Sequence, residues 1–131
     1  MLLAEEEGVV SALKAFVIED DQAVSAVYME ALRQAGYEVE IIGNGRTALN
    51  RLREVIPTLL LLDLHLPEVD GMQILSEVQA DGRLAGTRIF LITADHLLAE
   101  QLRDQVHLVL LKPVSFTQLR DMAVRFRPQP P

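Results

Sequence analysis

Four apolar segments of the sequence each end in a residue whose side chain can hold a cation or a phosphoryl group. In chain order, the segments end in the acidic pair Glu19 and Asp20, in Asp63, in Thr93 and in Lys112. Three carboxylates suit a divalent cation such as Mg²⁺, which prefers oxygen ligands. A hydroxyl and an ammonium can neutralise the charge of a phosphoryl group during its transfer. We therefore predict a magnesium-dependent phosphoryl-transfer site, provided that the fold brings the four segment ends together.

Apolar runs alternate with amphipathic segments along the chain, which predicts five strands and five helices. The strands are expected at 14–19, 37–42, 58–63, 88–93 and 107–112, and the helices at 22–35, 46–55, 71–80, 96–104 and 116–126. Continuous apolar strands are typical of a parallel sheet that helices cover on both faces, so the predicted fold class is α/β. Five such strands most often adopt the doubly wound, flavodoxin-like order 2-1-3-4-5. In that order strands one and three are neighbours, and Glu19, Asp20 and Asp63 should meet in one crevice.

Length and charge limit what the protein can be. The chain has 131 residues, which predicts one domain at 13–127 between an N-terminal extension (1–12) and a proline-rich tail or linker start (128–131). A net charge of −7 argues against direct binding of nucleic acid by this domain. No secretory signal and no apolar run of about 20 residues is present, and cysteine is absent. These features predict a cytoplasmic protein that does not contact the membrane.

Asp63 is the candidate phosphoacceptor, since a carboxylate can attack phosphorus and form an aspartyl phosphate. The expected ligands of Mg²⁺ are the carboxylates of Glu19, Asp20 and Asp63 and the backbone carbonyl of His65. Asp21 is expected to cap the following helix instead. Three neighbouring carboxylates repel one another, so at least one pKa should rise when no metal is bound. The alternatives are an aspartate that only caps a turn and a solvated acidic strand end that binds no metal.

Three further residues are candidates for contact with the phosphoryl group. The Lys112 ammonium should bridge Asp63 and a phosphoryl oxygen, and Pro113 favours extended backbone at Lys112. The Thr93 hydroxyl and the Ala94 backbone N–H should donate to other phosphoryl oxygens. The alternatives are a rim lysine that serves only solubility and a threonine that is present for its β-propensity.

Together these residues resemble the receiver domain of two-component response regulators, the chemotaxis-regulator-like (CheY-like) family, over about residues 13–127. The motif positions are Glu19-Asp20, Asp63, Pro67, Gly71, Thr93-Ala94 and Lys112-Pro113. The resemblance implies that a histidine kinase or a histidine phosphotransfer protein donates the phosphoryl group to Asp63. It also implies that phosphorylation shifts the conformation of a face made by the fourth helix, fifth strand and fifth helix, where an output partner binds. Such a domain catalyses only its own phosphorylation and slow dephosphorylation.

The sequence departs from that family in two places. Members usually carry tyrosine or phenylalanine three residues before the lysine, where it couples to the hydroxyl of the fourth strand, but this chain has Val109. The interval from Thr93 to Lys112 is also a few residues shorter than usual. We therefore predict that phosphorylation is retained and that its coupling to the usual output face is weak or rerouted.

Two other function classes fit parts of the pattern. Phosphatases of the haloacid-dehalogenase type also use an aspartate nucleophile with Mg²⁺, but they need a second aspartate two residues later, where this chain has His65. A receiver-like scaffold that binds a partner without phosphorylation fits Val109 but does not require the full set of acidic residues. A nucleotide-binding P-loop is disfavoured because the glycine-containing turn at 43–47 lacks the required lysine.

Overall fold

The structure is a computed structural model that describes residues 13–128. Its strands are β1 (Leu13–Ile18), β2 (Tyr37–Ile42), β3 (Leu59–Asp63), β4 (Arg88–Thr93) and β5 (Leu108–Leu111). Its α-helices are α1 (Gln22–Gln34), α2 (Gly45–Glu54), α3 (Gly71–Ala80), α4 (His96–Leu102) and α5 (Phe116–Arg125), and a short 3₁₀ helix spans Gly82–Leu84. Strands and helices alternate as predicted. The predicted extension 1–12 and residues 129–131 of the predicted tail lie outside the described residues.

The five strands form one parallel sheet in the order β2-β1-β3-β4-β5, which confirms the predicted doubly wound topology. Ile18 of β1 pairs with Leu62 of β3, so the residues that follow each of them lie at the same level. Thr93 of β4 pairs with Leu111 of β5, immediately before Lys112. The strand register thus brings the four reactive segment ends to one edge of the sheet.

The central strand β3 is buried on both faces, and this burial fixes the position of Asp63. Its leucines alternate between two cores. Leu60 and Leu62 pack with side chains of α2 and α3, and Leu59 and Leu61 pack with side chains of α1 and α5. All four leucines are at most 1% exposed. Because well-packed interiors allow little movement, the carboxylate that ends this strand is held on a rigid support.

Side-chain caps begin the helices where the sequence indicates. The caps of α1, α2, α3 and α5 are Asp21, Asn44, Asp70 and Ser115, each accepting a hydrogen bond from a backbone N–H of the first turn. Two details differ from expectation. Helix α4 ends at Leu102, not at residue 104, and so has only seven residues. Val27 shares a helical stripe of α1 with Val24 and Tyr28, a spacing that predicts burial, but Val27 is 45% exposed because it lines a surface groove described below. Between residues 13 and 128, no helix combines the length and apolar character that crossing a bilayer requires.

Candidate functional site

Three carboxylates meet where β1 and β3 end. Glu19, Asp20 and Asp63 each offer an oxygen within 4.8 Å of the others. Glu19 and Asp63 are buried, at 4% and 2% exposure, and Asp20 is exposed. The structure therefore brings together the three acidic residues that the sequence selects, with two charges inside and one at the surface.

The Asp63 carboxylate is held by two donors, one on each oxygen. Lys112 Nζ lies 2.9 Å from Asp63 Oδ2, and the backbone N–H of His65 donates to Oδ1 at 2.9 Å. Burial raises the pKa of Asp63, but the His65 amide, the Lys112 ammonium and the neighbouring Glu19 together hold it below its ordinary value. Asp63 is thus kept ionised, the form in which a carboxylate can act as a nucleophile.

The pKa of Glu19 is shifted in the opposite direction to that of Asp63. Its Oε2 accepts a hydrogen bond from the Asp21 backbone N–H at 3.1 Å, whereas its Oε1 is buried and has no partner among residues 13–128. Burial raises the pKa of Glu19 to about 7, and proximity to Asp63 adds to the rise. A buried acceptor that lacks a partner, beside two further carboxylates, is the donor set that a hard divalent cation would complete, so these residues fit Mg²⁺.

Thr93 is fully buried, and its hydroxyl has two hydrogen-bond partners. Oγ1 accepts from the Asp95 backbone N–H at 3.0 Å and lies 2.7 Å from Nε2 of the His65 imidazole. Sequence reasoning assigned His65 only a backbone role, and its ring contact with Thr93 was not foreseen. The only signal that could have revealed it is their placement at one edge of the sheet, with His65 on the loop just after β3 and Thr93 at the end of the neighbouring β4. Ala94 follows Thr93 and is exposed at the start of the loop.

The loop after Asp63 is shaped by two local features. Glu68 has a φ of 68°, and the Val69 N–H donates to the Pro67 carbonyl at 2.8 Å, which makes a strained, tight turn. A Cβ at Gly71 would lie 2.5 Å from the Leu64 backbone, so only glycine lets α3 begin this close to the end of β3. The glycine motif position therefore has a steric reason in this chain.

The position that carries the atypical Val109 lies on β5. Val109 is partly buried, packs against the core cluster beside α4 and pairs with Leu91 of β4. Its side chain has no ring and no polar group, and therefore cannot hydrogen-bond to Thr93. The Thr93 hydroxyl is engaged by His65 instead.

A surface groove of about 530 Å³ opens beside the carboxylates, between α1 and the segment that follows β5. Its walls are mostly apolar and comprise Val24, Val27, Tyr28, Pro113 and Val114, and Glu19, Asp21 and Lys112 complete the lining. The Lys112–Pro113 peptide bond at one side of the groove is cis, which the sequence did not indicate. The groove reaches the carboxylate cluster at Glu19.

Comparisons with known proteins agree with this geometry. The sequence matches the response regulator receiver domain family over residues 15–124. The regulatory protein LuxO of Vibrio vulnificus is 42% identical over 64 residues, which are 49% of this chain and 14% of LuxO. The probable methanogenesis regulatory protein FilR2 of Methanothrix harundinacea is 31% identical over 115 residues, covering 79% of this chain and 74% of FilR2. The structure of the chemotaxis response regulator CheY4 of Vibrio cholerae has a TM-score of 0.78 at 21% identity, covering 89% of this chain and all of that one.

The structural likeness establishes the CheY-like fold, and the family match covers most of the chain. The chain spans only a small part of LuxO, whose remaining segments have no counterpart in the alignment. The resemblance that the motif residues indicated is therefore confirmed: this chain belongs to the response regulator receiver domains of two-component systems.

Proposed function

We propose that this domain accepts a phosphoryl group on Asp63 in a Mg²⁺-dependent reaction. The observation that carries the proposal is the convergence of Glu19, Asp20 and Asp63 within 4.8 Å, together with the 2.9 Å ion pair between Asp63 and Lys112. An acidic cluster alone is common on protein surfaces. A buried carboxylate paired with an ammonium, beside an unpartnered buried oxygen that a cation could bind, suits phosphoryl transfer because that reaction depends on positioning and on neutralised charge.

Each residue of the site has a proposed task. An Asp63 oxygen attacks phosphorus and forms a new P–O bond. The bond between phosphorus and the nitrogen or oxygen of the donor breaks, and its electron pair stays on that donor atom. Lys112 already neutralises one Asp63 oxygen and would share its charge with the incoming phosphoryl oxygens. The Thr93 hydroxyl and the Ala94 N–H would donate to other phosphoryl oxygens.

Magnesium would be held by Glu19, Asp20 and Asp63, with the His65 carbonyl as a further ligand. Bound there, the cation would neutralise negative charge on the transferring group. The unpartnered Oε1 of Glu19 supports this assignment. The carbonyl of His65 remains a prediction from the sequence.

We propose that the phosphoryl donor is a histidine kinase or a histidine phosphotransfer protein. The apolar groove that ends at Glu19 and Lys112 supports this, since a helix that presents a phosphohistidine could bury an apolar face there while its imidazole reaches the Asp63 carboxylate. The output partner would bind the face formed by α4, β5 and α5, where Leu97, Leu111 and Val124 are exposed. Because Val109 cannot couple to Thr93, we expect weak or rerouted coupling to that face. The proposed location of this signalling is the cytoplasm.

Incubation with acetyl phosphate and Mg²⁺, followed by phosphate-affinity gel electrophoresis, tests the proposal. We expect one shifted species that persists long enough to be resolved, that disappears with EDTA and that is absent from Asp63→Asn. Asp95→Asn is the matched control: Asp95 caps α4 and contacts Thr93 only through its backbone, so the shift should remain.

The same experiment separates the rival functions. The scaffold reading, which Val109 favours, requires that no phosphorylated species forms in the unaltered protein. The phosphatase reading requires continuous release of phosphate without a persistent phosphorylated species. Either result would contradict the proposed receiver function.

A further inference from the structure

The contact between His65 and Thr93 has no role in the function proposed so far. His65 lies at the surface on the loop after β3, and Thr93 ends β4 and is fully buried. Their side chains meet at 2.7 Å, a short distance for a hydrogen bond between a nitrogen and an oxygen. The imidazole thus reaches across the edge of the sheet to the hydroxyl that is proposed to bind the phosphoryl group.

A threonine hydroxyl has one proton to donate. The Asp95 backbone N–H already donates to Thr93 Oγ1, so the hydroxyl is an acceptor in that bond. The remaining choice is whether the Thr93 proton points to the His65 Nε2 or elsewhere. A phosphoryl oxygen is an acceptor only, and therefore needs the same proton.

We propose that His65 is a positioning residue whose Nε2 accepts the Thr93 hydroxyl proton in the unphosphorylated domain. This inference rests on the proposed function, because it concerns the contact that a phosphoryl group on Asp63 would make. A phosphoryl group must then displace the imidazole to obtain the Thr93 hydroxyl. His65 stabilises the unphosphorylated arrangement and opposes binding of phosphoryl-like ligands.

The contact between His65 and Thr93 also indicates which segment of the fold moves when a phosphoryl group displaces the imidazole. The side chain at Val109 has nothing to offer the Thr93 hydroxyl, whereas His65 belongs to the loop that leads into α3. That loop contains the strained turn at Glu68 and packs tightly where Gly71 meets Leu64. Release of His65 would therefore be transmitted first to the β3–α3 loop and not to β5.

The hydrogen bond can be tested directly in the metal-free protein. We expect Thr93→Val to shift the ¹⁵N resonance of His65 Nε2 and to leave the ring nitrogens of His96 and His107 unchanged. Thr87→Val is the matched control, since Thr87 is an equally buried threonine whose hydroxyl donates to the Pro57 carbonyl, far from the site. An unchanged His65 resonance in Thr93→Val would overturn the inference.

The competition is tested by a double-mutant cycle with beryllofluoride and Mg²⁺ as the phosphoryl mimic. His65→Leu should tighten beryllofluoride binding about three- to tenfold, the value of one released hydrogen bond. In the Thr93→Val background the same substitution should change the affinity by less than about twofold, because no hydroxyl remains to be released. His96→Leu, on an exposed histidine of α4, should have no effect in either background.

Two results would overturn the inference. Weaker binding in His65→Leu would mean that the imidazole donates to Thr93 and assists the phosphoryl contact. An equal change in both backgrounds would mean that His65 acts independently of Thr93. Failure of the unaltered protein to bind beryllofluoride is distinguishable from both, since it would contradict the phosphoryl site itself and the inference with it.

Discussion

Lys112→Met should slow the phosphorylation of Asp63 by acetyl phosphate about 10²-fold. The Lys112 ammonium lies 2.9 Å from Asp63 Oδ2, and no other lysine or arginine among residues 13–128 is ion-paired with this carboxylate. Loss of one preorganised group that neutralises developing charge typically reduces a rate by about 10²–10³-fold. Methionine keeps an unbranched apolar side chain of similar length, so the main change is the loss of the charge. The rate is measured by quantifying the phosphorylated species over time.

The same variant should be less stable without metal, by about 1–3 kcal/mol in urea denaturation. Removing one partner of a buried pair leaves an uncompensated charge, and Lys112 is one-third exposed, so solvent recovers part of the cost. The chain's other lysine gives a matched control. Lys14 pairs with Glu38 at the surface, at 3.4 Å, and Lys14→Met should cost no more than about 0.5 kcal/mol and leave phosphorylation unchanged. Equal phosphorylation rates in both variants would contradict the role assigned to Lys112.

Glu19→Gln should abolish the stabilisation that Mg²⁺ gives the protein. A ligand that binds the folded state alone stabilises it in proportion to the logarithm of its concentration. Replacing the buried Glu19 carboxylate with an amide removes one charge from the cluster but keeps the shape of the side chain. The expected result is a melting temperature that rises with Mg²⁺ in the unaltered protein and stays constant in the variant. Glu77→Gln, an exposed substitution on α3, should keep the full response.

Without metal, the effect of Glu19→Gln on stability should depend on pH. Burial raises the pKa of Glu19 from 4.5 to about 7, so between these values the folded state holds more protons than the unfolded chain. The contribution of protonated Glu19 to the free energy of unfolding is therefore fully present below pH 4.5 and is lost as the pH rises through about 7. We expect Glu19→Gln to gain stability relative to the unaltered protein over this range, by up to about 3 kcal/mol at pH 8.

Urea denaturation at pH 5 and at pH 8, in EDTA, measures the free energy of unfolding of both proteins. If the two free energies differ by the same amount at both pH values, Glu19 is ionised throughout. The raised pKa of Glu19 in the metal-free cluster, which supports the assignment of a magnesium site, would then be wrong.

The sheet and the acidic cluster were predictable because the sequence signals that specify them are local and strong. In a chain that alternates apolar runs with amphipathic segments, a run such as Leu59–Leu62 is typical of a strand buried on both faces, and four such runs end in a candidate site residue. The parallel order then brings those ends together without further information. For this reason Glu19, Asp20, Asp63 and Lys112 could be grouped before any contact was known.

Contacts between loop side chains were not predictable, because they depend on backbone angles that no periodic pattern encodes. The His65 imidazole reaches Thr93 only because the backbone after Asp63 turns toward β4. The exposure of Val27 depends on how far the segment after β5 stands from α1, which strand and helix patterns do not specify. The early end of α4 at Leu102 likewise has no local sequence signal, since residues 103–107 contain neither glycine nor proline.

Reduction with borohydride after treatment with acetyl phosphate and Mg²⁺ would identify the residue that carries the phosphoryl group. Borohydride converts an aspartyl phosphate to homoserine, and peptide mass spectrometry identifies the position. We predict homoserine at residue 63 and at no other aspartate, with none formed in EDTA. Homoserine at Asp20 or Asp21, or an unmodified Asp63 under conditions that phosphorylate the protein, would contradict it.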